Sequence, residues 1–155
     1  MMSAFDLSPL TQAQRAARIQ TLNHEEAHVL LRQGTEAPFC GVFLDTKEQG
    51  VYVCRLCGLP LFDSGSKFDS KTGWPSFFIP FHEEHIHQSI DTREGRQRME
   101  ILCGRCQSHL GHVFSDGPAP TGRRYCLNSI ALEFVRKGHP FPDYLQRKGA
   151  ESACA

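Results

Sequence analysis

The chain has 155 residues and is 40% hydrophobic, enough for one domain with one buried core. Lysine plus arginine equals aspartate plus glutamate at 17 each, so no net field draws it to nucleic acid, an anionic membrane or an acidic substrate, and recognition has to be local. No apolar run approaches the roughly 20 residues that span a bilayer, and the N-terminus lacks a secretory signal, so no membrane partner is expected and the cytoplasm is the expected compartment.

From about residue 8 to 33, Leu10, Ala13, Ala16, Ala17, Ile19 and Leu22, and then Ala27, Leu30 and Leu31, recur at near-helical spacing. Two short helices are predicted, the first starting at Ser8-Pro9. Gly34 and Pro38 end that region. From about residue 35 to 138, Gly, Pro and Asp punctuate apolar runs of strand length at 51–53, 59–62, 77–81, 99–102, 112–114 and 130–135. With no long helical pattern between them, these runs predict a mainly β, antiparallel core. Residues 1–149 therefore read as a single domain without internal repeats, and 150–155, small and polar, as a flexible tail.

Seven cysteines are an odd number for a disulfide scaffold, and four fall in two CxxC pairs, Cys54-Arg-Leu-Cys57 and Cys103-Gly-Arg-Cys106. Each pair follows a short apolar strand and has a glycine beside it, Gly58 and Gly104. Two thiolates from each knuckle complete a closed tetrahedral shell, which points to one structural Zn2+ per chain. Unrelated buried turns or redox dithiols are the competing readings. Residues 58–102, which include Trp74, become a folded insertion stapled at its base.

Cys126 stands apart in Arg123-Arg124-Tyr125-Cys126-Leu127-Asn128. The two arginines can stabilise a thiolate, the reactive form of cysteine, although a lone strand cysteine is more often a small buried hydrophobe. Context favours chemistry: His109-Leu-Gly-His112-Val-Phe-Ser-Asp116 follows the second knuckle and offers proton donors and orienting groups. Extra metal ligation by His109 or His112, and a turn-capping role for Asp116, are the plainer readings.

From about Thr35 to Gly138 the chain resembles the type B methionine sulfoxide reductases. The likeness rests on Gly-Val-Tyr-Val-Cys54, Gly-Trp74-Pro-Ser-Phe, the knuckle ending in Cys106, His109-Leu-Gly-His112-Val-Phe and Arg124-Tyr-Cys126-Leu-Asn128-Ser, all in the family's order. It implies two small antiparallel sheets forming one core behind short N-terminal helices. It also implies reduction of methionine-R-sulfoxide in proteins or peptides, with thioredoxin as reductant. Cys126 matches the nucleophile and Trp74 the wall that receives the substrate's methyl group, while His109, His112, Asp116, Arg124 and Asn128 match positions lining the site. A sulfoxide sulfur is a poor electrophile until its oxygen is protonated, and His112 is the first choice for that acid, His109 the second. Arg124 would favour the thiolate by its charge, and Asn128 or Asp116 would hold the network.

One departure stands out. Many family members carry a resolving cysteine just before Gly-Trp-Pro-Ser, where this chain has Thr72. The cysteines left are Cys40, beside Gly41 in a loop-like segment, and Cys154 on the tail; loop placement favours Cys40. Neutral charge and the lack of a basic aromatic stripe argue against nucleic acid. A monomer is expected. The rival classes are a zinc-knuckle binding module and a zinc-thiol redox sensor, which turnover of the sulfoxide would separate.

Overall fold

Thr11 and Asn23 each accept a hydrogen bond from the N–H three residues on, and Gln14 and Glu26 reach back to close the box. These two caps start α1 (Gln12–Ile19) and α2 (His24–Arg32) in the computed structural model, which describes residues 2–147. The first helix therefore begins after Ser8-Pro9, whose Ser8 N–H instead closes a turn on Asp6 at 3.0 Å. α2 buries Val29 and Leu30, whereas α1 buries no residue. Besides half-buried Ile19, which packs against the core, a pair of arginines one turn apart holds α1: Arg15 donates to the Cys106 carbonyl at 2.9 Å and Arg18 to the Leu56 carbonyl at 2.7 Å. The helix is thereby fastened to both CxxC turns.

Nine strands follow among the described residues: β1 (Gly50–Cys54), β2 (Pro60–Asp63), β3 (Lys67–Phe68), β4 (Ser76–Phe77), β5 (Ile86–Asp91), β6 (Arg98–Cys103), β7 (His109–Phe114), β8 (Arg124–Leu127) and β9 (Leu132–Arg136). They form a three-stranded sheet, β2-β1-β9, and a six-stranded sheet, β3-β4-β8-β7-β6-β5, with every pairing antiparallel. One aromatic core joins the sheets. Phe62 of the smaller sheet stacks on Phe77 of the larger at 4.7 Å, and Tyr52 meets Phe77 edge-on at 5.2 Å.

The mainly β class and the two sheets match expectation, with three differences. The apolar run 77–81 gives only Phe77 to a strand, because Ser66 captures the backbone beyond it through Phe78 N–H and the Ile79 carbonyl. Residues 129–131 form a short 3₁₀ turn before β9. β5 gave no periodic signal because it is an edge strand with both middle faces exposed, paired only with β6. No described helix is long and apolar enough to cross a membrane. The predicted tail, 150–155, and Cys154 within it lie outside the described residues.

Candidate active site and metal centre

The two CxxC turns meet in the interior. Their four sulfurs lie within 4.8 Å of one another, with Cys54 to Cys106 and Cys57 to Cys103 each at 3.6 Å. A tetrahedral shell with metal–sulfur bonds of about 2.3 Å sets sulfurs about 3.8 Å apart, so the residues present fit a metal ion. The Cys103 and Cys106 thiols beside it push Cys54 well above the ordinary thiol range, and burial pushes Cys103 up as well. The neighbouring thiols hold Cys106 well below that range, and a bound cation is what lets all four sulfurs ionise together. Both turns end on a left-handed residue, Gly58 at φ +81° and Gln107 at φ +63°.

The second centre arises from strand register. In the larger sheet Ser76 on β4 faces Cys126 on β8, Cys126 faces His112 on β7, and His112 faces Glu100 on β6. Directly opposed residues share a sheet face with Cβ atoms about 5 Å apart, so these four side chains form one transverse row. Arg124, two residues before Cys126, projects from the same face.

Burial pushes the Cys126 thiol above its ordinary range; a contact from Thr72 Oγ1 at 4.0 Å and the Arg124 charge act the other way. Arg124 therefore acts on Cys126 in the expected direction, although burial outweighs it, and exposed Arg123 does not line the cleft. Thr72 is itself held by Ser70 at 2.8 Å, and Ser70 by Ser76 at 2.7 Å. Arg124 is oriented by the exposed Asp116 carboxylate, at 2.9 and 3.2 Å, and lies 4.3 Å from the Phe114 ring centre.

His112 bonds through Nε2 to Asp91 Oδ2 at 2.8 Å, and Arg93 holds the Asp91 carboxyl well below the usual carboxylate range. An ionised Asp91 can only accept, so Nε2 carries the proton and neutral His112 keeps a free lone pair on Nδ1. Burial lowers the His112 pKa, with Asp91 opposing it. His109 sits behind this layer: it is 2% exposed, its Nδ1 lies 2.6 Å from Glu100 Oε2, and its Nε2 has no partner among the described residues. Burial lowers its pKa too. Gln33, at the end of α2, fastens Glu100 from the other side at 2.9 and 3.2 Å.

A cleft of about 320 Å³ opens on Cys126, with His112, Arg124, Trp74 and Asn128 among its walls. That suits one side chain and a little of the backbone carrying it. His109 and Asp116 do not line the cleft. A hollow of about 400 Å³ beside Lys47 and Arg136 lies elsewhere and contains no cysteine. The Trp74 indole N–H donates to the Glu36 carbonyl at 3.0 Å, and Asn128 accepts from Glu36 N–H and donates to the Leu110 carbonyl. Cys40 is exposed and outside the cleft, on the same segment as Glu36; its neighbour Phe39 donates to the Gly73 carbonyl at 2.7 Å, next to Thr72.

Asp91, Glu100 and Thr72 were absent from the residues singled out for the chemistry. Glu100 had a faint signal, a carboxylate between Met99 and Ile101 in an apolar strand; Asp91 had none, because its contact with His112 is made across two strands.

Residues 22–136 match the family described as the SelR domain. A Xylella fastidiosa (strain M23) protein named peptide methionine sulfoxide reductase MsrB is 57% identical over 147 residues, 95% of each chain. A Caulobacter vibrioides (strain NA1000 / CB15N) protein of that name is 57% identical over 145 residues, 94% of this chain and 91% of its own. One from Methanosarcina barkeri (strain Fusaro) is 51% identical over 115 residues, 74% and 81%. With these matches the site is that of an oxidoreductase. The chain belongs to the SelR-domain family, the MsrB methionine sulfoxide reductases.

Proposed function

We propose that this enzyme reduces the R epimer of methionine sulfoxide in proteins or peptides, with Cys126 as nucleophile. The observation that carries the reading is the row Ser76, Cys126, His112, Glu100, which sets a thiol against an imidazole at the floor of a cleft. Burial keeps Cys126 a thiol and His112 neutral until substrate arrives. His112 Nδ1 then takes the thiol proton and passes it to the sulfoxide oxygen as the Cys126 sulfur attacks. The substrate's S–O bond breaks as a Cys126 S–O bond forms, so the protonated oxygen is transferred to Cys126 as a sulfenic acid and methionine leaves. Two electrons have passed from Cys126 to the substrate sulfur. Trp74 supplies the apolar face for the methyl group, Arg124 steadies developing thiolate charge, and Asp116 and Asn128 fix Arg124 and the cleft wall. His109 acts through Glu100 and the packed row.

Cys40 is the proposed resolving residue. Its thiol condenses with the sulfenic acid to a disulfide and water, and the thioredoxin dithiol then reduces that disulfide. Support comes from the bond between Phe39 and Gly73, which keeps the Cys40 segment next to Thr72. One Zn2+ on Cys54, Cys57, Cys103 and Cys106 supplies cross-linking of the two turns and takes no part in a step. Cys40 and Cys126, unpaired by any disulfide, suit the reducing cytoplasm, and a monomer is part of the same reading.

Cys126→Ser tests the core of this. It is expected to keep fold and metal and to lose reduction of the R epimer, while the wild type leaves the S epimer untouched. Chromatographic separation of the epimers after reaction checks it; appreciable turnover by the variant would remove Cys126 from the role.

A further inference from the structure

The chain is neutral as a whole, yet its cleft is not. Arg96, Arg98 and Arg124 all line it, and no aspartate or glutamate does among the described residues. Two carboxylates that pair with Arg98 and Arg124 are already committed. Asp91 is buried and shared by His112, Arg93 and Arg98, at 2.8, 2.7 and 3.5 Å, and Asp116 lies outside the cleft, fastened to Arg124. Arg98 and Arg124 are wall residues, their side chains 15% and 14% exposed. Arg96 differs: it is exposed on the lip, just past the left-handed Gly95 in the connection between β5 and β6, and makes no hydrogen bond or ion pair among the described residues.

We propose that Arg96 selects methionine sulfoxides whose neighbours in the substrate chain are aspartate or glutamate, its guanidinium receiving the flanking carboxylate while the sulfoxide reaches Cys126. This inference rests on the reductase reading. A peptide entering a cleft of this size can insert one side chain, so its adjacent residues must cross the lip. There a guanidinium offers paired donors matched to a carboxylate, and an acidic residue meets attraction where a lysine meets repulsion. Specificity thus comes from local charge that the balanced composition hides.

The test compares short peptides with one central methionine-R-sulfoxide flanked by glutamate, glutamine or lysine, with dithiothreitol as reductant, reading kcat/KM. The expected order is glutamate over glutamine over lysine, with roughly fivefold between the extremes at low salt, as an exposed ion pair allows, and less at high salt. Arg96→Glu is expected to reverse that order. Equal rates for the glutamate and lysine peptides, or an order unchanged in the variant, would overturn the inference. N-acetylmethionine-R-sulfoxide separates the two failures: its reduction without any charge preference sinks this inference alone, and no reduction at all sinks the proposed function with it.

Discussion

Asp91→Asn isolates the contribution of the carboxylate behind His112. In the native site an ionised Asp91 accepts from His112 Nε2 at 2.8 Å, which fixes the tautomer and, in the proposed proton transfer, would stabilise the imidazolium. The carboxylate is divided among three cations, since Arg93 at 2.7 Å and Arg98 at 3.5 Å share it. A full Coulomb term is therefore too large an estimate; a charge-assisted hydrogen bond is worth about 1.5–3 kcal/mol, or roughly 10- to 100-fold in rate. Asparagine keeps the shape and removes the charge. Methionine release in a single turnover, followed by chromatography, reads the step without any contribution from recycling. The variant is expected to be slower by that factor and to melt roughly 3–6 °C lower, as about 1–2 kcal/mol of arginine pairing is lost. Wild-type release by Asp91→Asn, with His112→Asn slow, would refute the role of Asp91; wild-type release by both would refute proton transfer through His112.

Cys57→Ser leaves three sulfurs for a four-ligand ion; loss of zinc by elemental analysis and a melting point lower by more than about 10 °C are expected, and metal-free wild-type protein of unchanged stability would contradict the zinc assignment. Cys40→Ser is expected to release one methionine per enzyme, then stall with thioredoxin and recover with dithiothreitol, while truncation after Gly149 does little; a Cys126–Cys154 disulfide in peptide maps would move the resolving role to the tail. His85 is buried and holds its pKa at about 4 against an ordinary 6.5, chiefly through burial, with Ser3 Oγ and the Pro60 carbonyl both 2.6 Å from its ring nitrogens. The unfolded chain then binds the extra proton between those values, so this stabilisation is complete above about pH 6.5 and is lost as pH falls towards 4, by about 2–3 kcal/mol. Urea unfolding at about pH 7 and about pH 4.5 should show a smaller acid loss for His85→Gln; equal losses would exclude His85 as the cause.

How much of this was legible in the sequence depended on the distance over which each signal acts. The four-cysteine cluster was readable because a CxxC turn is a local geometry, and the family likeness because its motifs are contiguous. Cys126 and His112 were singled out separately, but nothing in their spacing says that they are opposed. That relation is a register, set by how β7 and β8 pair, and a shift of one residue would turn one of them to the other face. Asp91 and Glu100 escaped notice for the same reason. Arg124 acts on Cys126 in the direction its adjacency suggests, but the larger opposing effect, burial, is not visible in a sequence. α1 shows the converse: its alanines predicted a helix correctly, while its attachment through Arg15 and Arg18 to the cysteine turns had no periodic signal.

The site divides its work between rigid and movable parts in a way that suits the proposed two-stage chemistry. Attack on a sulfoxide needs thiol, proton carrier and substrate held within a fraction of an ångström, and the row across β4, β8, β7 and β6 supplies that because each of these strands is paired on both sides. Disulfide formation needs the opposite, a second sulfur that stays out of the cleft while substrate is bound and comes in once methionine has left. Cys40 lies on a segment held beside it by the Phe39 N–H bond to the Gly73 carbonyl and, further back, by Glu36, whose half-buried carboxylate takes the N–H groups of Ser129 and Ile130 and whose carbonyl holds the Trp74 indole. Burial raises the Glu36 pKa, and the N–H groups of Ser129 and Ile130 act the other way. Movement of Cys40 about Glu36 would disturb Trp74, the wall proposed for the substrate methyl group, and so link departure of methionine to arrival of the resolving thiol.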